Sequence, residues 1–263
     1  LVEEWGIEGD AHVGKWHRQV SMLSFEKIEA FREKGAGVDF GAFGENLVVE
    51  GFDLSKVPVG TKFQIGEAIL ELTQIGKECH SHCAIYKVMG DCIMPREGVF
   101  TRVLKGGEIK AGDEITMLPL EKDRPFTAAV ITLSDKGAAG EREDKSGPLI
   151  QEMLMKEGYD VIETLLLPDG EQPLKHQLMR LADQRQVNVI FTTGGTGFAE
   201  RDVTPEATQA VCDRMAMGIA DAIRQYSLSI TGRAMLSRAV SGIRKKTLIV
   251  NLPGSPKAVK ESL

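Results

Sequence analysis

The chain has 263 residues, enough for one large domain or two ordinary ones. Its 42% hydrophobic and 27% charged residues are ordinary for a soluble globular protein. A net charge of −6 gives no sign of a nucleic-acid or membrane surface, no apolar run approaches the ~18 residues of a membrane span, and no signal-peptide pattern is present. The chain begins at Leu1 rather than Met and ends at Leu263 inside an apparent helix, so both ends are expected to be trimmed from a longer protein.

The first half is rich in glycine and short apolar runs. Gly6-Ile7-Glu8-Gly9-Asp10-Ala11-His12-Val13-Gly14 is a tight loop with an acid and an imidazole. Gln19-Val20-Ser21-Met22-Leu23 reads as a strand, and Phe25, Ile28 and Phe31 carry helical spacing up to a stop at Lys34-Gly35. Gly44-Glu45-Asn46-Leu47-Val48-Val49 returns to strand character. Residues 60–66 and 68–73 form a predicted hairpin, and 99–104 and 114–118 add strands between glycine turns. Many short strands with such turns predict a mostly-β, barrel-like domain over 1–118. Pro119-Leu120-Glu121-Lys122-Asp123-Arg124-Pro125 is charged, bracketed by prolines and without periodicity, so 119–125 is the expected linker.

From 126 to 263 the rhythm changes. Residues 128–133 read as a continuous apolar strand. Ser146 is the expected cap of a helix with Leu149, Ile150, Met153 and Leu154 on one face. Strand follows at 161–167, helix at 174–181, strand at 187–192, helix at 205–215 and at 219–226, and strand at 247–252; Ser255 starts a last helix. This alternation predicts a three-layer α/β domain with a mainly parallel sheet and helices on both faces. Ligands in such folds bind outside the carboxyl ends of the strands. Four loops fall there: Ser134-Asp135, Pro168-Asp169, 194–202, and Pro253-Gly254-Ser255-Pro256-Lys257.

The richest of these is Thr192-Thr193-Gly194-Gly195-Thr196-Gly197, followed by Arg201-Asp202-Val203-Thr204-Pro205-Glu206. Glycine admits close backbone approach and positive φ, and successive amides form an anion nest. The helix behind it, with Thr204 as expected N-cap and Pro205 at its first position, adds roughly half a positive charge. Thr193, Gly194, Gly195, Thr196 and Gly197 are therefore candidate phosphate-binding residues, and Asp202 sits where it could hold a metal ion beside the phosphates. A strand-to-helix turn that merely needs glycine is the simpler alternative; three glycines in four positions weigh against it. The loop is neither GxxxxGK[ST] nor GxGxxG. Asp169 alone would read as a Pro-Asp-Gly turn; alongside Asp202 and the glycine loop it becomes a second acidic candidate. Asp135 is a weaker one on the same edge.

The four cysteines are Cys79, Cys83, Cys92 and Cys212. Cys79-His80-Ser81-His82-Cys83, followed by Cys92, looks like zinc-ligand material. The spacing is not a regular CxxC pair, however, and His80 and His82 would alternate sides on a strand, so zinc is the weaker reading. Lys77, His80 and His82 suit a thiolate at Cys79. Cys212 reads as a small buried hydrophobe on a helix.

Together with Ala234-Met235-Leu236-Ser237-Arg238 and Asn251-Leu252-Pro253-Gly254-Ser255-Pro256-Lys257, the glycine loop and the Arg201-Asp202-Val203-Thr204-Pro205-Glu206-Ala207-Thr208 run make the second half resemble the molybdopterin adenylyltransferase family of molybdenum cofactor biosynthesis. Gly6 through Gly14, Phe43-Gly44-Glu45-Asn46-Leu47, the cysteine near Gln74 and the turns Gly106-Gly107 and Gly112-Asp113 make the first half resemble a MOSC domain, the module first described at the C-terminus of molybdenum cofactor sulfurases.

The resemblance implies a reaction in which the terminal phosphate of molybdopterin attacks the α-phosphate of ATP and pyrophosphate leaves. It implies Asp169 and Asp202 as catalytic residues and Mg²⁺ ligands, and Ser255 and Lys257 as binders of the pterin side or its phosphate. Arg238 and Arg244 would either neutralise pyrophosphate or simply be solvated. Cys79 would carry sulfur or touch the cofactor. The resemblance also implies a trimer and handover to a molybdenum-insertion enzyme; the expected location is cytoplasmic, and the charge and hydropathy give neither nucleic acid nor membrane as partner. Two rival readings are a nucleotide-cleaving enzyme on the same α/β domain and a non-catalytic pterin carrier.

Overall fold

Hydrogen-bonded ladders sort the strands into two six-stranded sheets, one in each of two units, Leu1–Lys122 and Asp123–Leu263. The structure is a computed structural model that describes residues 1–79 and 83–263; His80 and His82, the imidazoles of the zinc reading, lie outside the described residues.

In the first unit the strands are β1 (Val20–Ser24), β2 (Leu47–Val49), β3 (Lys62–Ile65), β4 (Ala68–Ile75), β5 (Val99–Lys105) and β6 (Ile115–Met117), in the order β2-β1-β5-β4-β3-β6. Among the described residues only β1 and β2 pair in parallel. The predicted hairpin is β3–β4: Ile65 faces Ala68 across Gly66-Glu67, and Gly66 takes φ +58° to close so short a turn. Register shifts in β4 at Ile69/Leu70 and Leu72/Gln74 bend the sheet. Its two edges, β2 and β6, stand at opposite ends of the ladder, so the barrel-like expectation becomes a curled sheet. Among the described residues α1 (Phe25–Glu33), α2 (Ala84–Met89) and α3 (Met94–Glu97) accompany it. Val20 and Met22 of β1 enter one apolar cluster with Leu54, Phe63, Leu70 and Leu72; Leu23 enters another with Ile28 and Phe31 of α1, Phe43 and Met94.

The second unit contains β7 (Thr127–Leu133), α4 (Asp135–Ala138), α5 (Ser146–Lys156), β8 (Asp160–Leu167), α6 (Glu171–Met179), β9 (Val189–Thr193), α7 (Thr204–Val211), β10 (Arg214–Met215), α8 (Met217–Ile230), β11 (Ser241–Arg244), β12 (Thr247–Leu252) and α9 (Pro256–Ser262). The sheet order is β10-β11-β12-β9-β7-β8. The four strands from β12 to β8 are parallel, while β10 and β11 form an antiparallel edge, so the sheet is mixed. Residues 214–215, expected in a helix, instead pair with Gly242 and Ile243.

Alternation along β7 feeds two cores. Ala129, Ile131 and Leu133 pack with Leu174 and Leu178 of α6 and Ala207 and Val211 of α7. Ala128 and Val130 pack with Ile150 and Leu154 of α5 and Val259 of α9. Both faces of the strand are buried, which is why its sequence is a continuous apolar run. At roughly 25 cal/mol per Å² of apolar surface, each of the Val, Leu and Ile side chains among these contributes about 1.5–3 kcal/mol to holding helices on both faces.

Candidate functional site

The polar loops gather at the carboxyl ends of β7, β8, β9 and β12. In the sheet β8 lies on one side of β7 and β9 on the other. The chain therefore leaves these neighbouring strands in opposite directions, and a crevice opens between their loops. A cleft of about 810 Å³ fills this place. Asp169, Gly194, Gly195, Asp202 and Ser255 line it, as does the weaker candidate Asp135.

The glycines have distinct reasons. Gly194 takes φ +97° and Gly195 φ +63°. A Cβ on Gly194 would strike the Leu133 carbonyl, and one on Gly195 would strike Thr204 Oγ1. The loops after β7 and β9 thus approach each other through bare backbone. Gly197 has no positive φ; a Cβ there would stand 2.8 Å from Asp202 Oδ2. Thr193 is buried and its hydroxyl donates to Pro253 O at 2.7 Å, joining the loops after β9 and β12. Thr196 is buried as well.

Two predicted caps are corrected by partners outside their own helices. Thr204 does not cap α7: it is the first residue of that helix, and its hydroxyl donates to Gly194 O at 2.9 Å. Ser146 likewise begins α5 rather than capping it, and its hydroxyl donates to Gly254 O at 2.9 Å. Asp144 accepts the Ser146 and Gly147 amides at 2.9 and 3.1 Å in its place. Lys257 is exposed, 3.9 Å from Glu261, and is not part of the cleft wall.

Asp135 and Asp169 interlock at the tips of β7 and β8. The Asp135 amide donates to Asp169 Oδ2 at 3.1 Å and the Asp169 amide donates to Asp135 Oδ1 at 2.9 Å. Asp202 Oδ2 accepts the Ala199 amide at 2.9 Å. These hard oxygen donors fit Mg²⁺, which takes one or two carboxylates and completes its sphere with phosphate and water. Among the described residues, no three His, Cys, Asp or Glu side chains converge to hold a metal by themselves.

The cations on the cleft wall are Lys136, Arg142, Lys145 and Arg201, which the sequence reading did not single out. Arg142 donates to Ser134 Oγ at 3.1 Å, and Arg201 lies 4.0 Å from Asp135 Oδ2. Their placement at a strand end was the available signal. The two arginines that were singled out have other partners. Arg244 grips Asp183 at 3.0 and 2.5 Å and donates to Val211 O; the Asp183 carboxylate holds its guanidinium pKa above the ordinary value. Arg238 braces the glycine loop, donating to Gly197 O at 2.6 Å, to Asp202 O and to Glu206.

Cys79 lies in the other unit, on a cleft of about 310 Å³ with His12, Trp16, Arg18, Asn46, Lys77 and Phe100. The Arg18 guanidinium stacks over Trp16 at 4.8 Å, and Lys77 lies 5.5 Å from the Phe100 ring centre. The Asp10-His12 pair is held to this wall: the His12 amide, then Asn46, keep the Asp10 carboxyl below its usual range. Cys79 and Cys83 are exposed. Cys92 is buried, and burial pushes its thiol pKa up. Cys212 stands at the end of α7 with extended backbone, and burial pushes its thiol to about 11.

With this geometry, residues 129–263 match the family model described as probable molybdopterin binding domain. The chain belongs to this family. Residues 9–116 match the MOSC domain. Relatives of the second unit include the molybdopterin adenylyltransferase of Haemophilus influenzae, 44% identical over 136 residues, or 51% of this chain and 69% of the relative. The molybdopterin adenylyltransferase of Escherichia coli is 42% identical over 137 residues, 51% of this chain and 70% of the relative. Among solved structures, the molybdopterin biosynthesis enzyme MoaB of Thermus thermophilus is similar with a TM-score of 0.50 and 45% identity, covering 52% of this chain and 87% of its own. The molybdopterin biosynthesis Mog protein of Mycobacterium ulcerans has a TM-score of 0.50 and 39% identity, covering 53% and 88%. No described helix is long and apolar enough to cross a membrane.

Proposed function

We propose that the second unit adenylates molybdopterin with ATP and releases pyrophosphate. The observation that carries this is the meeting of Gly194, Gly195, Asp169, Asp202 and Ser255 on one cleft, in a domain more than 40% identical to molybdopterin adenylyltransferases. Nucleotidyl transfer asks a protein mainly for positioning and charge neutralisation. The backbone of the glycine loop receives phosphate, and Lys136, Arg142 and Arg201 lower its charge from the cleft wall. Ser255, at the start of α9, orients the pterin side. Asp169 and Asp202 would hold Mg²⁺, which when bound would supply positive charge against the phosphates. Lys257 stays a weaker candidate at the rim, and Thr193, Thr196 and Gly197 support the loop from behind. Pyrophosphate release from Mg²⁺-ATP that requires molybdopterin is the expected outcome. Release without molybdopterin would favour the nucleotide-cleaving reading, and no release would favour the carrier. Asp202→Asn should cut turnover roughly 100-fold or more with the fold retained, as removal of a charge-stabilising group does.

The MOSC unit engages sulfur or the cofactor through Cys79, whose cleft supplies cations and aromatic rings. Cys79→Ser should fold normally and lose persulfide or cofactor labelling in thiol-trapping mass spectrometry. One equivalent of zinc lost equally on changing Cys79, Cys83 or Cys92 would instead establish the metal reading. Apolar side chains exposed on and after α8, among them Ile219, Tyr226, Ile230 and Met235, support a homo-oligomer, a trimer by resemblance. Light scattering at several concentrations tests it. A cytoplasmic protein that passes its product to a molybdenum-insertion enzyme completes the reading.

A further inference from the structure

We infer that Arg238 is a positioning residue that sets where the Asp202 carboxylate stands against the glycine loop; this rests on the reading of Asp202 as a metal ligand. Between Gly197 and Asp202 the chain makes a short excursion into solvent, with Phe198 69% exposed and Ala199, Glu200 and Arg201 exposed after it. Apolar burial therefore does little to hold it. Both ends are instead gripped by one guanidinium: Arg238 Nε donates to Gly197 O at 2.6 Å and Nη2 donates to Asp202 O. The third nitrogen, Nη1, pairs with Glu206 on α7, which fixes the plane of the fork. The base of the fork is anchored too. The Arg238 amide donates to Thr196 O at 3.0 Å, and the next two residues, Ala239 and Val240, are buried.

Asp202 is thereby held from its backbone, while its Oδ2 accepts the Ala199 amide and fits the space left by the missing Cβ of Gly197. Asp202 lines both the 810 Å³ cleft and a neighbouring one of about 540 Å³; Arg238 lines only the second, beside Phe198 and Glu206. Arg238 thus stands behind the acid and acts through it. A lysine is a point charge on a flexible stem and cannot span two carbonyls and a carboxylate as a planar fork does.

The test uses the full chain with Arg238→Lys, Asp202→Asn and Glu206→Gln. Three quantities are read: melting temperature, ATP affinity with and without Mg²⁺ by calorimetry, and pyrophosphate release with molybdopterin. Arg238→Lys should melt within about 4 °C of the parent. It should lose roughly 100-fold in turnover, the scale of a misplaced group. It should also lose the increment in ATP affinity that Mg²⁺ produces, as Asp202→Asn does. A purely structural arginine would leave that increment intact in a folded variant. An Arg238→Lys protein with parental increment and turnover, beside an impaired Asp202→Asn, overturns the positioning role and leaves the metal reading standing. A parental Asp202→Asn removes the metal reading, and this inference with it. Should Arg238→Lys fail to fold, Glu206→Gln loosens the same guanidinium without removing it; a smaller loss of the increment is then expected, and parental values overturn the inference.

Discussion

Gly194, Gly195 and Gly197 read alike in sequence but perform different tasks. Gly195 at φ +63° would cost any other residue about 1–2 kcal/mol in backbone strain before the clash with Thr204 is counted. Gly195→Ala should therefore lower the melting temperature, and weakened ligand binding in that variant would not isolate a ligand role. Gly197→Ala is the cleaner probe. Its backbone tolerates a side chain, so the melting temperature should hold while the displaced Asp202 costs Mg²⁺-dependent ATP affinity by calorimetry. The cysteines separate by burial in the same way. Cys79 and Cys83 should be alkylated quickly near neutral pH, and Cys92 and Cys212 slowly, as read by mass spectrometry of labelled peptides. The folded Cys212 thiol titrates near 11 against 9.0 for the ordinary group. Between those values the unfolded chain releases the proton first, so the contribution of Cys212 to stability falls as pH rises through that window. Denaturant melts on the parent and Cys212→Ala across this window measure it: the parent should lose more.

At the scale of elements, one buried amide ties the site's strands to its helix. Asn251 of β12 is fully buried; its Nδ2 donates to Thr192 Oγ1 of β9 and Thr208 Oγ1 of α7, both at 2.9 Å, and its Oδ1 accepts the Val240 amide at 3.2 Å. Asn251→Leu would strand these partners in an apolar interior, at about 1–3 kcal/mol. The denaturant midpoint should drop accordingly, and Thr208→Val, which loses one bond only, should drop less. Four strands of this unit, β7, β8, β9 and β12, were legible because each is an apolar run, α6 and α8 because helical periodicity survives in them, and α9 because Ser255 caps it. The two caps were misread for one physical reason. Ser146 and Thr204 have the right chemistry for capping, but Gly254 and Gly194 offer their hydroxyls carbonyl partners across the fold. Local rules do not see such competition. β10 and β11 were missed likewise: Arg214-Met215 carries no periodicity, Ser241-Gly242-Ile243-Arg244 is short and half polar, and only their pairing makes them strands.

For the whole molecule, each apolar cluster closes within one unit. The fragment Asp123–Leu263 should therefore fold alone in a single calorimetric transition and release pyrophosphate from ATP and molybdopterin at the rate of the full chain. A fragment that melts without cooperativity would show that the first unit is needed for its fold. The amino-acid sequence by itself determined the layered α/β character of the second part and the edge on which its polar loops gather, because hydrophobic period and glycine placement are local properties of the chain. It also named the acids and the glycine loop. Only the tertiary structure decided which of these meet: Asp135 and Asp169 come from two strand tips, Ser255 from a third, and Lys257 falls outside. The role of Arg238 likewise awaited the fold. A guanidinium is equally at home in solvent, on pyrophosphate or across two carbonyls, and only the return of residue 238 to the glycine loop selects the last.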